Sequence, residues 1–177
     1  MLFLLKLFTN STKLQAALKQ AKYLKLKPTY RPYKFTLDAP LAQRAKGKHG
    51  ATIDLGAGKS YAVRYDYDRN RNVYLRSTGG RKHLDRSTKK QLVVKNVLII
   101  LVPKEKVLDR KGRLDIQTVG TGKGFLLQNG FTVPITWSKP STRSRTIFKS
   151  LYNKEISLIA GNTWITIVPK GHTYKLF

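Results

Sequence analysis

Cysteine is absent from the sequence. That absence removes disulfides, cysteine–zinc sites, thiol nucleophiles and acylation of a lipoprotein cysteine within these residues. It leaves the compartment open. Acidic side chains are scarce as well: nine Asp and Glu face thirty-five Lys and Arg, for a formal charge of +26. Paired acid–base chemistry needs two carboxylates of divergent pKa in one cleft, and no two carboxylates here fall at a spacing that suggests one. Asp66 and Asp68 flank a turn and read as its capping groups. No catalytic residue is assigned. Long apolar runs are also missing. The opening MLFLLKLF is interrupted by Lys6 and lacks a small-residue cleavage site, so it reads as a buried leading segment rather than a signal peptide. Nothing approaches the ~20 apolar residues that span a bilayer, so no signal or anchor is visible.

What remains is enough for a folded domain. Apolar residues make up 41% of 177, which supports one core with an attached element. The charge excess exceeds what solubility requires and attracts polyanions as a class: nucleic acid, anionic lipid or acidic wall polymer.

The apolar spacing changes along the chain. NSTKLQAALKQAKYL opens with capping residues and places Leu14, Ala17 and Leu18 at helical intervals, which predicts an amphipathic helix from about Ser11 to Tyr23. Pro28 and Pro32 then impose an extended path, and residues 39–50 read as an exposed connection. From there the period is two. Val63, Tyr65 and Tyr67 share a face, DRNRN turns, and VYLRS returns. NVLIILVP reads as a strand buried on both faces, and RLDIQTV alternates again. In FLLQNGFTVPITW, Asn129-Gly130 suits a type I′ hairpin. KEISL and TWITIV read as a closing pair joined through IAGN. The expected fold class is α+β: an antiparallel-rich β-sheet domain with one N-terminal amphipathic helix, divided into residues 1–50 (helix and connection) and 51–177 (the β-rich part).

Two glycine-rich stretches imitate phosphate loops. A P-loop needs G-x-x-x-x-G-K-[ST] between a strand and a helix. In DLGAGKSYAV the first glycine position holds Ile53, and a strand follows Ser60. In VGTGKGFLL, Gly124 occupies the Ser/Thr position and Phe125 opens a strand. Both read as glycine turns between strands, and no nucleotide or other cofactor is expected.

HLDRSTKKQLVVKNVLI, then GRLDIQTVGTGKGFLLQNGFTVPITWSK, then NKEISLIAGNTWITIVP resembles the C-terminal part of the YerB-like lipoproteins of bacteria. LFTNSTKLQAAL and YRPYKF sit where that family carries a similar helix and Pro-aromatic stretch. The resemblance implies that the Gly120, Gly122 and Gly124 stretch is a family feature. It also implies an extracytoplasmic, membrane-associated protein of unknown function whose longer relatives carry a further N-terminal domain.

Several residues are candidate ligand contacts. His83 and Asp85 stand two apart, as a base and its orienter or, together with the distant Asp115, as metal ligands. Without a third ligand nearby they read first as charges pairing with Arg81, Lys82 and Arg86 on a solvated loop, and no metal is expected. Arg113 and Asp115 share a strand face. They read first as a structural ion pair, and second as an anion pocket with Lys123 and the backbone of the Gly120–Gly122 turn. Trp137 and Trp164 read as core anchors. KYLKLKPTYRPYKF interleaves Tyr23, Tyr30, Tyr33 and Phe35 with cations, which suits stacking along a single strand or packing on the sheet. Residues 69–90 hold eight basic side chains against Asp85 alone and form the densest positive region. Three functions follow: a non-enzymatic, envelope-associated binding or accessory domain with affinity for anionic polymer or a membrane surface; a non-specific nucleic-acid-binding module; or an enzyme on a phosphorylated or cell-wall substrate.

Overall fold

The structure is a computed structural model that describes residues 10–22, 31–56 and 58–177. The expectations for MLFLLKLF, Tyr23 and Tyr30 lie outside the described residues. The chain falls into two units, Met1–Pro32 and Tyr33–Phe177. In the first, helix α1 (Ser11–Gln20) starts where Asn10 Oδ1 accepts the Lys13 amide at 2.9 Å, and Lys19 complements the dipole in its last turn. It ends before the expected Tyr23, with Lys22 at φ 59°.

The second unit is built from strands. First come β1 (Lys34–Thr36), β2 (Gly50–Asp54), β3 (Val63–Asp68), β4 (Val73–Thr78), β5 (Arg81–Lys82) and β6 (Val93–Val94). The middle of the chain supplies β7 (Asn96–Val102), β8 (Lys106–Val107), β9 (Leu114–Asp115), β10 (Gly120–Gln128) and β11 (Phe131–Lys139). β12 (Ile147–Ser150), β13 (Ser157–Ile159), β14 (Thr163–Pro169) and β15 (Thr173–Leu176) complete it. One sheet runs β12-β11-β10-β7-β14; the other runs β15-β2-β3-β4-β5, with β6 also on β4. The second is antiparallel. The first is mixed, because β14 lies parallel to β7. The unit is therefore β-rich, and antiparallel pairing is only part of its architecture.

Alternation places the core. Ile53, Val63, Tyr65 and Tyr74 of one sheet meet Val97, Ile99, Leu127 and Val168 of the other. The even residues of β7, Leu98, Ile100 and Val102, point the other way and pack with Leu126, Ile135, Trp137 and Phe148. β7 is thus buried on both faces, as its unbroken apolar run predicts. Asn129 (φ 55°) and Gly130 (φ 81°) form the tight turn of the β10–β11 hairpin.

Two expectations are corrected. β13 and β14 do not pair with each other: β13 joins β1 in parallel and β14 joins β7. The buried Asn96 side chain holds both the amide and the carbonyl of Ile159 at 2.9 Å, which fastens the intervening loop across the start of β7. Nor is GTGKG a turn. It is the first half of β10, laddered to β11 from Gly120↔Lys139 onward. RLDIQTV contributes only the short β9, paired with β8.

Candidate functional site

The glycines of β10 make room for a tryptophan. Gly122 is the cross-strand partner of Trp137, and a Cβ there would lie 2.6 Å from the indole Nε1 and 2.7 Å from the Leu101 carbonyl oxygen. With no Cβ, the indole lies across β10 and donates to Leu101 O at 3.0 Å. That carbonyl belongs to the part of β7 beyond its ladder with β10, whose last pair is Gly124↔Ile100. A Cβ on Gly124 would meet Ile99 O at 2.4 Å. The glycine spacing thus serves the outer face of the strand, while Thr121 and Lys123 alternate onto the inner face.

On that inner face the two sheets part. Phe125 of β10 still meets Tyr174 of β15, ring centroids 5.5 Å apart. Beyond this pair the five-stranded sheet is uncovered, and two clefts open that share Thr121 and Lys123. The cleft over β10, β11 and β12 has a volume of about 370 Å³, and Thr136, Ser138 and Lys149 line it beside the shared pair. The register Lys123↔Thr136↔Lys149 sets these side chains in a row across three strands. The other cleft, of about 480 Å³, lies over the ends of β7 and β14, with Leu101, Val168 and Pro103 as floor beside the strand ends Val102 and Pro169, and Lys170, His172 and Tyr174 at the rim. Together they form one trough across five strands. No carboxylate is among the described residues that line it.

One carboxylate stands behind the rim. His172 Nε2 lies 2.9 Å from Glu105 Oε1, and both side chains are largely buried. A Cβ on Gly56 would come within 3.0 Å of the other edge of the ring, at Cε1 and Nδ1. Glu105 thus orients the imidazole at the rim of the trough, and the absence of a side chain at Gly56 leaves room for the ring. Lys149 is steadied by Asn153 Oδ1 at 2.8 Å.

The structure separates the residues that the sequence offers as candidates. Lys123 and Gly122 line the trough, and Gly120 begins the strand that carries them. The segment is an extended strand paired with β11, so its successive amides point to opposite sides and do not converge as a nest. Arg113 and Asp115 are elsewhere. Arg113 pairs with Asp109 across the turn between β8 and β9 and leaves most of its side chain in solvent, whereas Asp115 faces Lys106 in register. A partly buried Arg113–Asp115 pair is not formed. The hydrogen bonds from Arg113 hold the Asp109 carboxyl below the usual carboxylate range.

His83 and Asp85 do not act together either. Asp85 accepts from the amides and hydroxyls of Ser87 and Thr88, between 2.6 and 3.1 Å, which closes a turn. These bonds, the Ser87 hydroxyl foremost, bring its pKa down to about 2. His83 instead contacts the Arg76 guanidinium through Nδ1. Burial first, and then the Arg76 charge, lower its pKa, which fits a neutral imidazole accepting at that nitrogen. Asp68 caps the Arg71 amide as expected, but Asp66 binds Arg64 instead.

Sequence reasoning missed Arg76, His172, Glu105 and Lys170. Arg76 is a buried cation without a carboxylate. Its guanidinium stacks on Trp164 at 4.3 Å and donates to Thr78 Oγ1 at 2.6 Å, while its Nε has no partner. His172 and Glu105 are 67 residues apart, and no local spacing signals such a pair. Tyr33, one of the interleaved aromatics, stacks on Phe148 at 6.0 Å and lies under Arg145. Trp137 is a core anchor.

Comparison with known proteins completes the description. Residues 51–165 match the family described as "Protein of unknown function (DUF3048) C-terminal domain". The "Putative lipoprotein YerB" of Bacillus subtilis (strain 168) is 31% identical over 164 residues, which are 92% of this chain and 47% of that protein. The crystal structure of the YerB protein from Bacillus subtilis is similar with a TM-score of 0.72 at 27% identity, over 94% of this chain and 54% of that one. The chain therefore spans about half the length of the relatives it matches.

Proposed function

The chain belongs to the DUF3048 family as its C-terminal domain, and from that premise we propose that it is a non-enzymatic binding domain of the bacterial envelope that holds an extended anionic polymer in its trough. Envelope association is carried over from the lipoprotein name of the YerB relative. The trough supplies the chemistry. Lys123, Lys149 and Lys170 stand with the hydroxyls of Thr121, Thr136 and Ser138 on a surface whose described lining holds no carboxylate, and this is the observation that carries the reading. Lysine ammonium groups are point charges that meet phosphate or carboxylate without demanding one geometry. Four strand spacings of about 4.8 Å make the trough about 19 Å across, a length suited to a chain of repeating charges. Binding rather than turnover is favoured because no carboxylate among the described residues lines the clefts for acid–base pairing.

Because the whole molecule is basic, the test compares two charge removals. Lys123→Ala/Lys149→Ala takes two charges from the trough, and Lys89→Ala/Lys90→Ala takes two from the exposed turn after Asp85. Titrated with inorganic polyphosphate, the trough double variant is expected to lose about 30-fold in affinity and the control less than about threefold, each lost charge-assisted contact contributing about 1 kcal/mol. A trough engaging about three phosphates also loses about 20-fold between 50 and 200 mM salt. Equal losses from both variants would show that only diffuse charge is at work. Single-stranded RNA bound more tightly than polyphosphate, with no effect of the trough variant, would favour the nucleic-acid reading instead.

A further inference from the structure

The two clefts of the trough differ in chemistry, and they meet at one cation. On the β12 side the lining is hydroxyl and lysine; on the β14 side the paired Leu101 and Val168 form an apolar floor beside Pro103. Lys123 is exposed and borders both. A purely polar polymer would use only half of this surface and leave the exposed parts of Leu101, Pro103 and Tyr174 in contact with water. We infer that the trough takes an amphiphile: a phosphate ester whose single hydrocarbon chain lies on the apolar floor, whose phosphate meets Lys123 and Lys170, and whose polar head group extends along Thr136, Ser138 and Lys149. Tyr174 presents its ring beside the floor, tilted against Phe125, and closes one side of the hydrocarbon channel. The inference rests on the reading of the trough as an anion site and narrows it to phosphate carried on lipid. A prenyl phosphate and a single-chain phospholipid share this chemistry.

The test uses the full chain and n-alkyl phosphates from hexyl to decyl, each below its micelle concentration, in calorimetric titration. Glycerol 3-phosphate represents the head alone and inorganic polyphosphate the polymer. Affinity is expected to rise by up to roughly fourfold per added methylene until the floor is covered. Polyphosphate is expected to displace decyl phosphate, because both need Lys123. Lys123→Ala should weaken both ligands about fivefold, one charge-assisted contact of about 1 kcal/mol, whereas Tyr174→Ser should weaken decyl phosphate and leave polyphosphate unchanged. Both side chains are exposed, so neither change disturbs the core. Farnesyl phosphate and lysophosphatidylglycerol distinguish the two sources: preference for either supports the inference and names the source, and binding of neither overturns it. Affinity that is flat with chain length also overturns it. If polyphosphate still binds through Lys123 in that case, the polymer reading stands alone; if Lys123→Ala leaves both ligands unaffected, both readings fall.

Discussion

Trp137 and Gly122 act as one unit at the scale of single residues. The indole reaches Leu101 O only because Gly122 has no Cβ in its path. Trp137→Phe keeps most of the ring packing but removes the donor, and is expected to lower stability by about 1–2 kcal/mol. Gly122→Ala forces the indole to move and is expected to cost about 1–3 kcal/mol through overpacking. Because both changes disturb the same contact, the double variant should lose clearly less than the sum of the singles. Denaturant melts of the three variants measure this. Strict additivity would show that the glycine and the tryptophan are independent.

At the scale of elements, the connection between β13 and β14 decides the topology. Asn96 uses all its hydrogen-bonding capacity: Oδ1 accepts from the Ile159 amide and Gln128, and Nδ2 donates to Ile159 O and Thr163 Oγ1, all within 3.0 Å. The local sequence IAGN suggests a hairpin, yet the chain is led past β13 and laid parallel to β7. Asn96→Leu would leave the Ile159 amide and carbonyl unpartnered, at an expected cost of roughly 2–4 kcal/mol. Faster hydrogen exchange at the Ile159 amide should accompany the shift in the melt. Native protection at that amide in a destabilised variant would mean that Asn96 acts by packing alone.

Charge belongs to the whole molecule. Most carboxylates are engaged close to home: Asp66 by Arg64, Asp38 by Lys95, Asp109 by Arg113, Glu155 by Arg145 and Glu105 by His172. Asp54 caps the Gly56 amide and Asp85 caps its own turn. With nine acids against thirty-five Lys and Arg, most cations have no acid to meet, and their mutual repulsion opposes the compact state. Raising sodium chloride from about 20 to 300 mM shortens the Debye length from above 20 Å to below 10 Å. The melting temperature is therefore expected to rise with salt, and a thermal scan series measures it. A melting temperature that falls over this range would mean that the ion pairs outweigh the repulsion.

The sequence by itself determined what short-range physics controls. Alternation at Val63, Tyr65 and Tyr67, the unbroken run of β7 and the positive-φ pair Asn129-Gly130 each announce their element through neighbours in the chain. The missing glycine at Ile53 was enough to reject a phosphate loop, and the order of motifs was enough to indicate the family. GTGKG was misread as a turn because glycine is the same letter whether it frees a backbone or clears space for a side chain fifteen positions on. Only the tertiary structure decided that Lys123, Lys149, Lys170 and His172 share one surface, that Arg113 and Asp115 do not join them, and that β14 lies parallel to β7. Those outcomes depend on sheet order and on where one sheet stops covering the other. Both are set by packing between distant strands, and no local period records them.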